Sequence, residues 1–152
     1  MLSSRGKYAT RALLDLTLHA EHGPAQIHDI ARRQNIPLKF LEQILLALKH
    51  AGFVESRKGP GGGYFLALPP EKITLGAIVR AMDGPLAPIN CVSVSRYGEC
   101  GCPEPESCGL RTVWREARDA LCAVLDRATF ADIRDHHRQL QAERSEIYDF
   151  VI

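Results

Sequence analysis

The stretch from Gln26 to Leu68 leaves the chain few folds to choose from. Ile27, Ile30 and Ala31 recur at helical spacing within residues 26–34, so a short helix turns that face inward. Asn35-Ile36 leaves room only for a tight turn, and Pro37 opens the next helix where its missing N–H costs nothing. That helix carries Leu38, Leu41, Ile44, Leu45 and Leu48 along one side and stops at Gly52. Two strand-type runs follow, Phe53-Val54-Glu55-Ser56-Arg57 and Tyr64-Phe65-Leu66-Ala67-Leu68. Between them lies Lys58-Gly59-Pro60-Gly61-Gly62-Gly63, a hairpin tip with four glycines. Short helix, tight turn, helix and then hairpin is the pattern of a winged helix-turn-helix, mainly α with a two-stranded wing.

The rest of the chain arranges itself around this unit. Tyr8, Ala12, Leu16 and Ala20 repeat every four residues, with Leu13 beside them. A first helix is therefore expected from Ser4 to Ala20, capped by Ser3 or Ser4 and ended by His22-Gly23-Pro24. After Pro69-Pro70, Thr74 can cap a short helix with Leu75, Ile78, Val79 and Met82 on one face, ending at Asp83-Gly84-Pro85. Residues 1–85 thus form the expected DNA-binding domain. Residues 86–109 show no periodicity and hold four cysteines, so something must order this loop or it is mobile. From Leu110 a long helix begins, with Leu110, Trp114, Ala117, Leu121, Val124 and Ala128 spaced 4, 3, 4, 3, 4. That is a seven-residue repeat of the kind that pairs helices, so 110–152 reads as a dimerisation segment with Trp114 and Leu121 in its seam. Thr129 and Asp132 can cap a last helix carrying Phe130, Ile133 and Leu140.

The formal net charge of +1 hides an asymmetry. Residues 1–70 hold nine Lys/Arg against five Asp/Glu, and residues 71–152 hold ten against thirteen. Such a division suggests that only the first part meets a polyanion. No apolar run approaches the ~20 residues of a membrane span, and Met1-Leu2-Ser3-Ser4-Arg5 lacks the apolar stretch of a signal peptide. A cytoplasmic protein with reduced thiols and no membrane partner is expected. No nucleophile–base constellation is visible, and the wing glycines lack the Lys-Ser/Thr of a phosphate-binding loop, so no enzyme is expected.

The third helix leaves Lys39, Phe40, Glu42, Gln43 and Lys49 off its apolar stripe. A major groove admits a helix, where Gln43 can pair with adenine, Lys39 can bind phosphate or guanine, and Glu42 can accept from cytosine. Arg57 and Lys58 flank the wing tip, whose glycines let backbone approach phosphates or a groove floor closely. The other reading of these polar faces is a solvated surface on a protein-interaction domain.

Arg5-Gly6-Lys7-Tyr8-Ala9, Phe40-Leu41-Glu42-Gln43-Ile44, Gly59-Pro60-Gly61-Gly62-Gly63-Tyr64 and Thr129-Phe130-Ala131-Asp132-Ile133 together resemble the Rrf-type family of transcription regulators, with its IscR, NsrR and CymR branches. The resemblance spans nearly the whole chain. It implies a homodimer whose long helices cross, bringing two winged domains onto a near-palindromic double-stranded DNA operator as a repressor. It also implies that Glu42 and Gln43 read bases together. The candidate DNA contacts are then Lys39, Phe40, Glu42, Gln43, Arg57, Lys58, Gly59, Gly61, Gly62, Gly63 and Tyr64, and the candidate dimer contacts are Leu110, Trp114, Ala117, Leu121 and Val124.

Four cysteines fall in the pattern Cys91-x(8)-Cys100-x-Cys102-x(5)-Cys108. Four thiolates can hold an iron–sulfur cluster or zinc. The resemblance implies a cluster sensing iron–sulfur status or redox or nitrosative stress, with Cys91, Cys102 and Cys108 at the positions of the family's three cysteines. Two departures stand out. Cys100 is extra, and Arg111 occupies the place of the IscR branch's histidine ligand. No histidine lies between His50 and His136. The fourth ligand can then be Cys100, a group from the partner's first helix, where this chain has Lys7 and Tyr8, or a small molecule. Spacing does not choose between 2Fe–2S and 4Fe–4S. A metal-free thiol-based or partner-controlled repressor, as in the CymR branch, and a zinc-stabilised interaction module are the alternatives. Cys122 reads as a packing residue and His136-His137 as a solvated pair.

Overall fold

The computed structural model describes residues 2–149, so the last three positions of the expected 110–152 segment lie outside the described residues. Helices α1 (Ser4–Leu18), α2 (Ile27–Gln34) and α3 (Leu38–His50) precede strands β1 (Val54–Arg57) and β2 (Gly63–Leu66). Helices α4 (Leu75–Asp83), α5 (Gly109–Arg127) and α6 (Phe130–Asp149) follow, with short 3₁₀ turns at Ala20–His22, Pro70–Lys72 and Asn90–Val92. The winged helix-turn-helix is therefore present, in a mainly α chain.

Local chemistry sets the boundaries. Ser3 caps α1 by accepting from the Gly6 N–H at 3.0 Å, and Asp83 at the end of α4 accepts from the Ser3 N–H at 2.8 Å. Helix α1 stops at Leu18 rather than Ala20, because residues 20–22 tighten into a 3₁₀ turn before Gly23 takes φ +80°. The α2–α3 turn rests on Asn35, whose φ of 48° makes it the left-handed C-cap of α2. Thr74 caps α4 by accepting from the Ala77 N–H at 3.2 Å. Thr129 and Asp132 cap α6 reciprocally, each accepting from the other's backbone N–H at 3.1 Å.

The two strands pair antiparallel, with Val54 opposite Leu66 and Arg57 opposite Gly63. Ala25, just before α2, adds one further rung, exchanging both N–H···O bonds with Tyr64 at 2.8 Å. The wing is thus stitched to the helix-turn-helix.

One core unites these elements. Ala9, Ala12, Leu13 and Leu16 of α1 meet Ile30 and Ile36, Leu41, Ile44, Leu45 and Leu48 of α3, Val54, and Ile73, Ile78 and Met82 around α4. Phe130 belongs to the same core at 1% exposure, although the sequence groups it with the dimerisation segment. It is drawn in because Leu75 N–H donates to the Ala128 carbonyl and Phe130 N–H to that of Ile73, both at 2.9 Å. Ala128, expected to continue the seven-residue stripe, instead ends α5 in extended conformation.

Asp15 of α1 is completely buried. Arg33 of α2 grips its carboxylate through Nε at 3.0 Å and Nη2 at 2.7 Å, and Gln34 Nε2 donates at 3.0 Å. Removing one member of a buried ion pair costs about 3–5 kcal/mol. Because Arg33 keeps 30% exposure and can partly rehydrate, Asp15→Asn is expected at the low end, about 3 kcal/mol less stable by urea denaturation.

Candidate nucleic-acid interface and cysteine loop

Helix α3 turns Leu41, Ile44, Leu45 and Leu48 into the core and shows water Lys39, Glu42, Gln43, Leu46, Lys49 and His50. Among the described residues, no intrachain hydrogen bond or ion pair engages Lys39, Glu42 or Gln43, so their polar groups are available to a ligand. Lys49 is tied down, donating to Ser56 Oγ of β1 at 2.6 Å. Phe40 lies half-buried rather than on the outer face. Its ring meets that of Tyr8 edge-on at 5.6 Å, and the Arg11 guanidinium covers Tyr8 at 5.7 Å.

The wing carries Arg57 stacked over the Phe65 ring at 5.8 Å, with Lys58 exposed beside it. Its glycines have internal reasons as well as room for a ligand. A Cβ on Gly62 would overlap the Arg57 carbonyl, and one on Gly63 the Ala25 carbonyl, whereas Gly59 and Gly61 face open space at φ +89° and +71°. Gln26, absent from the sequence-based candidates, donates from Nε2 to the Gly62 carbonyl at 2.6 Å and so fixes the wing tip. Tyr64 is half-buried between the wing and the end of α1.

The cysteine loop begins on the 3₁₀ turn Asn90–Val92, where Cys91 is buried. Cys100 is exposed, and Cys102 and Cys108 are half-buried. The four thiols form a row. Cys100 neighbours both Cys91 and Cys102, and Cys102 neighbours Cys108. Gly101 makes the bend between Cys100 and Cys102 at φ +70°. The hydrogen bond between Cys100 and Cys102 pushes the Cys102 thiol up to about 11 and holds Cys100 below the usual thiol range, while burial raises Cys91. Among the described residues no three His, Cys, Asp or Glu side chains stand preset for a metal, so the loop gathers donors without already closing on one.

Two arginines serve this loop, and neither role was visible in the sequence. Arg111 spreads over Tyr97 at 5.9 Å, and its buried Nε–H has no hydrogen-bond partner among the described residues. A buried N–H left without an acceptor is costly, and an anionic sulfur group held by the neighbouring thiolates would offer it one. The donor set and this orphan N–H therefore fit an iron–sulfur cluster. Arg118 of α5 donates to the Val92 carbonyl, fastening the turn that carries Cys91 to the long helix. Cys122, expected as a packing residue, is half-buried and held by polar contacts: its thiol donates to the Leu86 carbonyl and accepts from Arg80.

Helix α5 buries none of its side chains within one chain. Leu110, Trp114, Leu121 and Val124 are 72, 41, 42 and 51% exposed, and Ala117 shares their face.

Comparison with known proteins is consistent across sequence and structure. The profile of the Rrf2 family, described as an iron-dependent transcriptional regulator, matches residues 2–136. The HTH-type transcriptional regulator IscR of Aliivibrio salmonicida is 37% identical over 147 residues, covering 96% of this chain and 84% of that one. Among solved structures, the global cysteine regulator CymR of B. subtilis superimposes with a TM-score of 0.76 at 32% identity, covering 90% of this chain and 97% of that one. IscR of T. potens superimposes with a TM-score of 0.75 at 30% identity, covering 93% and 90%.

If the wing meets DNA phosphate through Lys58, Lys58→Ala lowers the slope of log affinity against log salt by about one unit on any sequence. Gln26→Ala loosens the wing tip and weakens binding. In that background the further loss of Lys58 costs less than in the wild type. Fluorescence anisotropy across a salt series checks both, and strict additivity of the two changes would detach Gln26 from the wing.

Proposed function

Because the chain belongs to the Rrf2 family of iron-dependent transcriptional regulators, we propose that it is a cytoplasmic homodimeric repressor whose cysteine loop holds an iron–sulfur cluster. Its relatives are regulators and not enzymes, and among the described residues no helix is long and apolar enough to cross a membrane. The observation that carries the sensing role is the row of four thiols beside the orphan Arg111 N–H, at the base of a helix whose apolar face is bare.

On this reading α3 enters the major groove of a near-palindromic operator. Glu42 and Gln43 address base edges, Lys39 neutralises phosphate, and the wing follows the neighbouring backbone with Arg57 and Lys58. The α5 stripe of Leu110, Trp114, Ala117, Leu121 and Val124 buries itself against the same stripe of a second copy, setting the distance between the two α3 helices. Cys91, Cys100, Cys102 and Cys108 supply the ligands, and four thiolates suit a two-iron or a four-iron cluster alike. When bound, the cluster supplies a centre that responds to oxidants and to iron supply. The chain's own part is mechanical. Cys91, Cys100, Cys102 and Cys108 would hold the cluster, Arg111 would face its negative charge, and Arg118 ties the Cys91 turn to α5. A shift in the pose of α5 changes operator affinity without altering any base contact.

Protein purified and reconstituted without oxygen is expected to be coloured, with iron and sulfide in matching amounts. Cys100→Ser is expected to bleach it as fully as Ser at Cys91, Cys102 or Cys108, because a hydroxyl is a poor ligand for soft metals. A wild-type protein still colourless after reconstitution would sink the cluster and leave the metal-free thiol switch.

Leu121→Asp sets a carboxylate in the seam, where it cannot be desolvated without a partner. Sedimentation is expected to show monomers, and operator affinity to fall roughly a hundredfold or more once two half-sites are no longer held together. An intact dimer would move the interface off α5.

A further inference from the structure

Leu46 is a large apolar side chain placed where α3 has no structural use for one. It is 54% exposed, while Leu41, Ile44, Leu45 and Leu48 complete the core from the opposite side. At 3.6 residues per turn it falls in the middle of the outer face, one turn beyond both Glu42 and Gln43 and about two turns beyond Lys39. The side chains around it on that face are polar or charged. The sequence left it unassigned, neither in the apolar stripe nor among the candidate contacts.

A major groove offers such a side chain one apolar feature, the 5-methyl group of thymine. We propose that Leu46 is a specificity-determining residue that reads a thymine methyl in each half-site, next to the base pair addressed by Gln43. The inference rests on α3 being the base-reading helix and goes beyond it by naming the base. Exposed in free protein, the leucine loses water on docking and gains an apolar partner only when a methyl is in front of it. A cytosine or a demethylated base leaves it facing polar edges, so the discrimination is by apolar contact and is independent of salt.

The probe is a duplex of about 30 base pairs, selected by the wild-type protein from randomised DNA. Each thymine is replaced in turn by deoxyuridine, which removes only the methyl. One position per half-site is expected to weaken the wild-type full-length protein about fourfold, the worth of one buried carbon. The same replacement is expected to leave Leu46→Ala and Leu46→Ser unaffected, and both variants should keep the wild-type unfolding midpoint because the site is exposed. Two results overturn the proposal: no methyl-sensitive thymine in the wild type, or a sensitive thymine that stays sensitive in both variants. A selection that enriches no sequence at all would instead remove the base-reading role of α3, and Leu46's with it.

Discussion

Asp15 is a charge taken wholly out of water, and the placing of the helix-turn-helix follows from how that charge is met. An isolated carboxylate at such a depth is untenable. The two-pronged Arg33 grip and the Gln34 amide answer it, and both come from the last turn of α2. The end of α2 is thereby pinned to the fourth turn of α1. With Asn35 turning the chain immediately afterwards, the start of α3 is fixed in direction as well as place. Apolar packing between α1 and α3 holds them together but is non-directional. The ion pair is directional, and it stands at the hinge from which Lys39, Glu42 and Gln43 project.

Helix α1 also connects this unit to the cysteine loop. Asp83 of α4 receives the Ser3 N–H and hydroxyl at the start of α1. Arg80 of α4 binds Asp126 of α5 through Nη2 at 2.8 Å, which holds the Asp126 carboxyl below its usual range. Gly76 is bare because Asp126 presses against it. At the middle of α5, Arg118 holds the turn containing Cys91. The long helix is thus gripped from both sides, by the cysteine loop and by α4, and α4 rests on α1. Directional polar contacts thus run from the cysteine loop through α5 and α4 to α1, beside an apolar core that resists deformation.

What the sequence disclosed was whatever local chemistry decides. Pro37, Gly52 and Thr74 marked helix ends because caps and breakers act on their immediate neighbours. The wing followed from two short runs around a glycine cluster. The candidate cysteines could be picked out by spacing alone, and the structure gathers them into one row. Contacts between distant segments were hidden. Nothing near Gln26 announces that its amide reaches Gly62, and nothing near Phe130 announces that α6 begins inside the winged core. Phe40 was counted outward because periodicity gives a direction, not a partner, and Tyr8 turned out to be that partner. Leu46 falls outside the apolar stripe by periodicity, and only the fold shows that it stands exposed among polar side chains.

The cysteine loop shows why a departure from a family pattern is best judged in pairs. Where the resembling branch carries a histidine, this chain carries Arg111, which cannot ligate a metal because it does not give up its proton. Taken alone, the change removes a ligand. Cys100 supplies a fourth thiol two residues before Cys102, and as a thiolate it brings a negative charge that a neutral imidazole would not. Arg111 brings one positive charge to the same place, with a buried N–H that no group among the described residues accepts. On the proposed reading the two substitutions compensate each other: the ligand moves from helix to loop, and the charge it adds is balanced from the helix position it vacated. Arg111 alone would leave the site short of a ligand, and Cys100 alone would leave it with an uncompensated charge in a half-buried loop.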